Sequence, residues 1–301
     1  MKYIVQSTAV WDTISVPGDD RFFDAPGGAG FYALAGMKVW DDDVLIVTGT
    51  GADYLPTFED WYHRNALSTD GLLVKDQNTP RTVVRYDEEG ERVEEPYFGA
   101  DHYKKIEATP EEIEPFCKDC VGMYIFKNLD PVYWRGLLAL KAKYNFSILW
   151  EIAADATVPE NLGEIRKIAE QIDMFSINLT EARSMFAVSE LSELIQNFTE
   201  WKIPLVYLRM GSKGVCVIQN GNAVIVPSVP NARVVDATGG GNSSTGGAFI
   251  GFCRDCTPEE IGAMGNVAAS FCIEQWGAPA CFDEVLRLEA KLRKEAVMSL
   301  I

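Results

Sequence analysis

Short apolar runs alternate with stretches of helical periodicity along most of the chain. That alternation predicts a mainly parallel sheet covered by helices on both faces, an α/β chain in three layers. The runs expected as strands are Tyr3–Val10, Val44–Gly49, Gly122–Lys127, Ser147–Ile152, Met174–Asn178, Leu205–Arg209 and Val215–Gln219. Helical spacing covers Gly28–Met37, Pro56–Ala66, Pro131–Tyr144, Leu162–Ile172, Thr180–Phe186, Leu191–Lys202, Ser243–Cys253, Pro258–Ile273 and Asp283–Leu300. Neither an internal repeat nor a low-complexity linker interrupts this rhythm, so residues 1–301 read as one domain.

One section departs from the alternation. Arg81–Tyr86 is patterned as a strand, turns at Asp87-Glu88-Glu89-Gly90 and returns through Glu91-Arg92-Val93, which predicts a hairpin. Together with Thr13–Asp24 it would form a small sheet on the main body, from elements near residues 12–24 and 79–99. The plainer reading is an edge hairpin of the central sheet.

Charge narrows the partners. A formal net charge of −17 argues against nucleic acid and anionic membranes, because phosphate surfaces require cations. No run is long and apolar enough to cross a membrane, and Met1–Val5 reads as an immediate strand rather than a signal peptide. Seven cysteines, an odd number in a long chain, suit reduced thiols in a cytoplasm. Cys117-Lys118-Asp119-Cys120 and Cys253-Arg254-Asp255-Cys256 have the spacing of paired zinc ligands; the alternative is buried apolar thiols at two turns.

The most informative passage is Asp236-Ala237-Thr238-Gly239-Gly240-Gly241-Asn242, expected after a strand ending at Val234-Val235 and before a helix of small residues. Consecutive glycines let the backbone approach a ligand, and a helix start offers unpaired N–H groups and the positive end of its dipole. The amides of Gly239, Gly240, Gly241 and Asn242 thus form a candidate anion hole, suited to a phosphoryl group in transfer.

This strand–Asp–glycine turn–helix passage resembles the D-T-T-G-A-G-D signature of the PfkB (ribokinase-like) carbohydrate kinases. Other segments follow in matching order. Asp12 stands where relatives place an Asp that hydrogen-bonds sugar hydroxyls, and Gly27-Gly28 with Tyr32 resembles the G-G-x-x-x-N segment. Gly90-Glu91-Arg92 falls in the expected lid, and Asn178-Leu179-Thr180-Glu181 matches N-x-x-E. Met210-Gly211-Ser212-Lys213-Gly214 after Arg209 is similar to T-L-G-x-x-G, and Asn266, Ser270 and Trp276–Pro279 occupy the stretch that borders adenine in relatives.

The resemblance implies a ribokinase-like fold with a β-lid, through which a homodimer is expected. It also implies ATP as phosphoryl donor and a small sugar-like acceptor bound by Asp12, Gly27, Gly28 and Tyr32. Mg²⁺ would be organised through water by Asn178 and Glu181, and Arg209, Gly211, Lys213, Gly214 and Asn266 would lie along the nucleotide. In some members carbonyls near Asp236 and Thr238 hold a monovalent cation. Asp53 corresponds to a G-x-D segment and reads as structural.

Two departures concern the chemistry itself. Tyr32 replaces the sugar-binding Asn, and Asn242 replaces the Asp that takes the hydroxyl proton; an amide orients a hydroxyl but accepts no proton at useful pH. A second carboxylate is then required, and Asp12 and Glu151 are the candidates, Glu151 because it ends a core strand where relatives show D-P-N. His63 and His102 fall in peripheral segments and read as surface residues. Two functions stay open on these grounds: an ATP-dependent kinase of a sugar or nucleoside hydroxyl with an altered base, or a pseudokinase that binds nucleotide or sugar as a sensor.

Overall fold

The computed structural model describes residues 1–15, 22–86 and 92–301. Its strands are β1 (Tyr3–Gln6), β2 (Val10–Ser15), β3 (Phe22–Gly27), β4 (Val44–Gly51), β5 (Leu72–Asp76), β6 (Arg81–Tyr86), β7 (Arg92–Pro96), β8 (Gly122–Lys127), β9 (Ser147–Ile152), β10 (Met174–Asn178), β11 (Leu205–Arg209), β12 (Val215–Gln219) and β13 (Asn222–Val226). The helices are α1 (Ala29–Lys38), α2 (Tyr54–Arg64), α3 (Ala100–Ile106), α4 (Pro110–Ile113), α5 (Pro131–Tyr144), α6 (Leu162–Ala169), α7 (Leu179–Phe186), α8 (Leu191–Glu200), α9 (Gly240–Cys253), α10 (Pro258–Ile273) and α11 (Glu284–Met298).

A nine-stranded sheet runs in the order β13-β12-β11-β10-β9-β8-β1-β4-β5. It is parallel from β11 to β5, with β12 and β13 added antiparallel at one edge. Successive side chains of a strand face opposite sides, and the core divides accordingly. Val5, Ile46, Tyr124, Leu149 and Tyr207 pack with α1, α2, α9, α10 and α11. Ile4, Leu45, Ile125, Trp150 and Leu208 pack with α4 to α8 on the other side. This is the expected three-layer α/β/α arrangement.

The expected strand Tyr3–Val10 is two strands, broken at residues 7–9. There the chain leaves the large sheet, and the Thr8 carbonyl accepts from the N–H of Gly30 at 2.9 Å and of Phe31 at 3.3 Å, seating the start of α1. After the break, β2 enters a separate four-stranded sheet, β3-β2-β6-β7. The pair β6–β7 is the hairpin read from the sequence, and it belongs to this small sheet rather than to an edge of the large one. Its turn, Asp87–Glu91, lies outside the described residues.

Candidate active site

The parallel strands β1, β8, β9, β10 and β11 end on one side of the large sheet, and the side chains that carry chemistry gather there. In open α/β sheets ligands bind outside the carboxyl ends of the strands. Register brings the groups together: Asn178 at the end of β10 lies opposite Arg209 of β11, and Ser176 lies opposite Glu151 of β9.

The glycine turn faces these strand ends. The expected strand end at Val234-Val235 is a loop, fixed by a bond from the Val235 N–H to the Ile273 carbonyl at 2.8 Å. Asp236 Oδ1 accepts from the Thr238 N–H (2.9 Å) and hydroxyl (2.6 Å), so the carboxylate shapes the turn from within. Helix α9 then begins at Gly240, three residues before the expected start, with no side-chain cap. The Gly240 N–H, expected in the anion hole, is spent on the Ala237 carbonyl at 3.2 Å, whereas those of Gly241 and Asn242 have no carbonyl a turn behind them inside the helix, which leaves them for a ligand.

Gly239 has φ +75°, and a Cβ there would sit 2.1 Å from Tyr32 Cγ. Gly239→Ala is therefore expected to cost about 2 kcal/mol or more, combining ~1–2 kcal/mol for a left-handed alanine with the displacement of a buried ring. Urea denaturation measures it.

Two cavities flank the turn. One, of about 580 Å³, is bordered by Asp12, Gly28, Tyr32, Glu151, Asn178, Glu181, Gly239 and Asn242, with Thr82, Glu94 and Pro96 of the small sheet as a wall. The other, of about 500 Å³, is lined by Gly211, Gly214, Val229, Gly240, Gly241, Asn266 and Ser270. Arg209 is the residue that borders both. Lys213, expected along the nucleotide, is exposed and borders neither. Asn266 spends its amide on the Val226 and Pro227 carbonyls, at 3.1 and 2.8 Å, fixing the far wall. Gly27 lies behind the site, so close to Asp12 that a Cβ would overlap the carboxylate.

Between the cavities lies a cluster that joins α9 to β8, β9 and β11. Glu151, only 1% exposed, accepts from Arg209 Nη1 at 2.7 Å and from Asn242 Nδ2 at 3.0 Å, both on Oε1. Tyr124 donates its hydroxyl to Oε2 at 2.7 Å. Burial first, and the Glu151 charge second, hold the Tyr124 phenol well above the ordinary tyrosine range, so it stays a neutral donor. Tyr124 was not legible as a site residue: in Gly122–Lys127 it reads as one more apolar position of a buried strand. Helix α9 is pinned to the sheet beside this cluster by buried hydroxyl pairs, Tyr207–Ser244 at 2.7 Å and Ser176–Thr245 at 2.9 Å.

Asn178 and Glu181 form a capping box at the start of α7. The Asn178 Oδ1 accepts from the Glu181 N–H at 2.8 Å, and Glu181 Oε2 accepts from the Asn178 N–H at 3.0 Å. Glu181 Oε2 is also 3.9 Å from Arg209 Nη2, while Oε1 makes no hydrogen bond among the described residues. Burial, the leading cause, lifts the Glu181 carboxyl above the usual glutamate range. One carboxylate oxygen beside an amide suits contact with a hydrated Mg²⁺ through water rather than a full ligand cage.

Asp12 and Tyr32, expected at the acceptor, are likewise engaged. The Tyr32 hydroxyl donates to Asp12 Oδ2 at 3.5 Å, with both side chains buried. Asp53 Oδ1 accepts from the N–H and hydroxyl of Thr79, a structural role as expected. His63 is exposed, but His102 is not the surface residue its segment suggested. It is 9% exposed, and its Nε2 lies 3.2 Å from Asp76 Oδ2, tying α3 to the end of β5. Burial pushes the thiols of Cys117 up to about 11 and of Cys120 up to about 12, the condition of inert core cysteines.

A family model described as pfkB family carbohydrate kinase matches residues 20–284. Among curated proteins, an uncharacterized protein of Schizosaccharomyces pombe is 26% identical over 93% of this chain and 86% of its own. The cytidine kinase of Thermococcus kodakarensis is 23% identical over 88% of this chain and 94% of its own. Among solved structures, adenosine kinase from Sinorhizobium meliloti has a TM-score of 0.80 at 17% identity, covering 97% of this chain and 98% of that one. Arabidopsis thaliana ribokinase complexed with ribose and ATP has a TM-score of 0.77 at 18% identity, covering 96% of this chain and 98% of that one. The span of the family match, on a chain with this fold, is decisive: the protein belongs to the pfkB family of carbohydrate kinases and is a phosphotransferase of that kind.

Proposed function

We propose that the protein transfers the γ-phosphoryl group of ATP to a hydroxyl of a sugar or nucleoside, with Glu151 as general base in place of the Asp that relatives carry at position 242. The observation that carries this reading is the contact of Glu151 with Asn242 at 3.0 Å, at the seam between the two cavities. The cavity bearing Asp12 and Tyr32 takes the acceptor, under the small sheet as a lid. The cavity bearing Gly211, Gly214 and Asn266 takes the nucleotide. Its occupant's phosphates run to the first-turn amides of α9 and to Arg209.

In the transfer, a hydroxyl of the acceptor gives its proton to Glu151 as its oxygen bonds to the γ-phosphorus. The bond from that phosphorus to the bridging oxygen breaks, and ADP leaves with the electron pair. Asn242 supports the step by donating to Glu151, which fixes the carboxylate's orientation. The amides of Gly241 and Asn242 and the α9 dipole stabilise the charge on the moving group, positioning and electrostatics being the main contributions to such a reaction. Asn178 and Glu181 would hold Mg²⁺ through water, and it would supply charge neutralisation on the phosphates.

Tyr32 narrows the acceptor end, where its ring covers Gly239 and its hydroxyl meets Asp12. A cavity of about 580 Å³ is nonetheless of the size that holds a small ligand, within the usual range of ~300–1,000 Å³. Curated and structural relatives named for cytidine, adenosine and ribose direct the first choice of acceptors. Purified protein with MgATP and a panel of sugars and nucleosides, read by ADP release and by mass of the phosphorylated product, tests the proposal. At least one acceptor should give turnover above the ATPase background. Asp12→Ala should raise the KM for that acceptor tenfold or more, since a lost charged hydrogen bond amounts to roughly 1.5–3 kcal/mol. Nucleotide binding with no transfer to any acceptor counts against it.

A further inference from the structure

Arg209 stands where the T-L-G-x-x-G pattern has its threonine, and its placement is unlike that of a plain phosphate ligand. One terminal nitrogen is bonded to Glu151 Oε1 at 2.7 Å and the other lies 3.9 Å from Glu181 Oε2, so both ends of the fork face carboxylates. The Nε is buried without a partner among the described residues. The guanidinium lies across the turn itself: a Cβ on Gly241 would be 2.3 Å from Nη1. The same side chain borders the nucleotide cavity. A guanidinium has donors for phosphate and carboxylate alike, but Nη1 here is committed to the carboxylate.

We infer that Arg209 exchanges partners when nucleotide binds, leaving Glu151 for the phosphates and thereby releasing the carboxylate for proton transfer. This rests on the reading of Glu151 as base and of the Gly211–Gly214 cavity as the nucleotide site. Without nucleotide, Glu151 is held by Arg209 and Asn242 on Oε1 and by Tyr124 on Oε2, so both its oxygens are engaged by donors. With Arg209 drawn to the phosphates, Asn242 and Tyr124 remain to orient it, and the place that Nη1 held on Oε1 is open to the acceptor hydroxyl. The base then becomes competent only when the phosphoryl donor is seated. Arg209 is in this sense a positioning residue for Glu151 as well as a ligand for ATP.

The exchange has a binding signature that needs no acceptor and no turnover. If Arg209 must leave Glu151 to reach phosphate, neutralising Glu151 removes the competitor. Glu151→Gln should therefore bind MgATP about tenfold more tightly than the wild type by calorimetry. Arg209→Gln should bind it at least tenfold more weakly, and the double variant should match Arg209→Gln, the non-additivity that marks a direct coupling. Glu151→Asp, which keeps the charge but retreats by one methylene, should fall between Glu151→Gln and wild type. That variant also serves if the glutamine fails to fold, which a melting curve reports. MgATP affinity in Glu151→Gln unchanged or weakened, with the fold intact, overturns the exchange while leaving the base assignment to be judged by turnover. No MgATP binding by the wild type overturns the nucleotide site and the exchange together.

Discussion

Glu151→Gln is expected to lower kcat by about 10²–10⁴-fold, the usual contribution of a general base, without weakening MgATP binding and with little change in acceptor KM. The glutamine keeps the shape, and its carbonyl oxygen still accepts from a neighbouring donor; what it loses is the ability to hold a proton taken from the acceptor. Such a split, a kcat loss without a KM change, marks an interaction made in the transition state. A kcat within a few-fold of wild type would remove Glu151 from the mechanism and leave Asp12 as the remaining carboxylate candidate. The melting curve is an independent control. Glu151 is 1% exposed and paired with Arg209, and removing one member of a buried pair costs as much as ~3–5 kcal/mol when nothing replaces it. Retained hydrogen bonding by the glutamine is expected to keep the loss well below that.

The frame of this protein was legible from residue pattern because its central strands are short, apolar on both sides and bounded by helical periods. Gly122–Lys127, Ser147–Ile152, Met174–Asn178, Leu205–Arg209 and Val215–Gln219 stand where the pattern puts them. What escaped the pattern lies at edges. β13 is largely exposed on the outer margin of the sheet and β5, at the opposite margin, is only partly buried; each holds a short apolar run, Ala223–Val226 and Leu72–Val74, without the length of the central strands. The break between β1 and β2 was hidden for a different reason. The polar triplet Gln6-Ser7-Thr8 lies between two apolar runs and reads as an interruption within one strand, whereas the change of sheet is decided by Thr8 turning its carbonyl to α1.

The residues that line the candidate site were legible one by one, but not their arrangement. The glycine turn, Asn178 with Glu181, and Gly211 with Gly214 carry local signals, because turns and helix starts have their own residue chemistry. The contact that gives Asn242 its meaning carries none. Glu151, Arg209 and Asn242 come from β9, β11 and α9, and only sheet order and helix packing bring them within 3.0 Å. Read singly, Asn242 is a lost base, Glu151 an oddly buried acid and Arg209 one more cation near phosphate. In the fold these departures meet at one point and complement one another: a carboxylate, an amide that donates to it and a guanidinium that neutralises it. Independent decay of a kinase site gives no reason for charges so matched. On the proposed reading, the carboxylate has moved across the cleft, from the helix to the strand end.

That displacement gives Asn242→Asp an expected outcome opposite to the one its family pattern suggests. Supplying the usual Asp should lower kcat tenfold or more, not raise it. The Asn242 amide nitrogen now donates to Glu151 Oε1 at 3.0 Å and approaches the Tyr124 hydroxyl at 3.4 Å. An aspartate would set a second carboxylate oxygen at that distance, where two unit charges repel by about 5.5 kcal/mol at an effective dielectric constant of ~20. Such a pair shares a proton or moves apart; either way Glu151 loses its orienting donor. The double exchange, Glu151→Gln with Asn242→Asp, removes the repulsion, restores a carboxylate–amide contact with its members reversed, and places the acid where relatives have it. It should recover to within about tenfold of wild type, far above Glu151→Gln alone, a coupling that a double-mutant cycle on kcat reads directly. A faster Asn242→Asp single variant would show that the wild-type site lacks a base, and the double exchange would then gain nothing from the loss of Glu151. Since the variants differ by single atoms at one contact, the sign of that coupling distinguishes a moved carboxylate from a missing one.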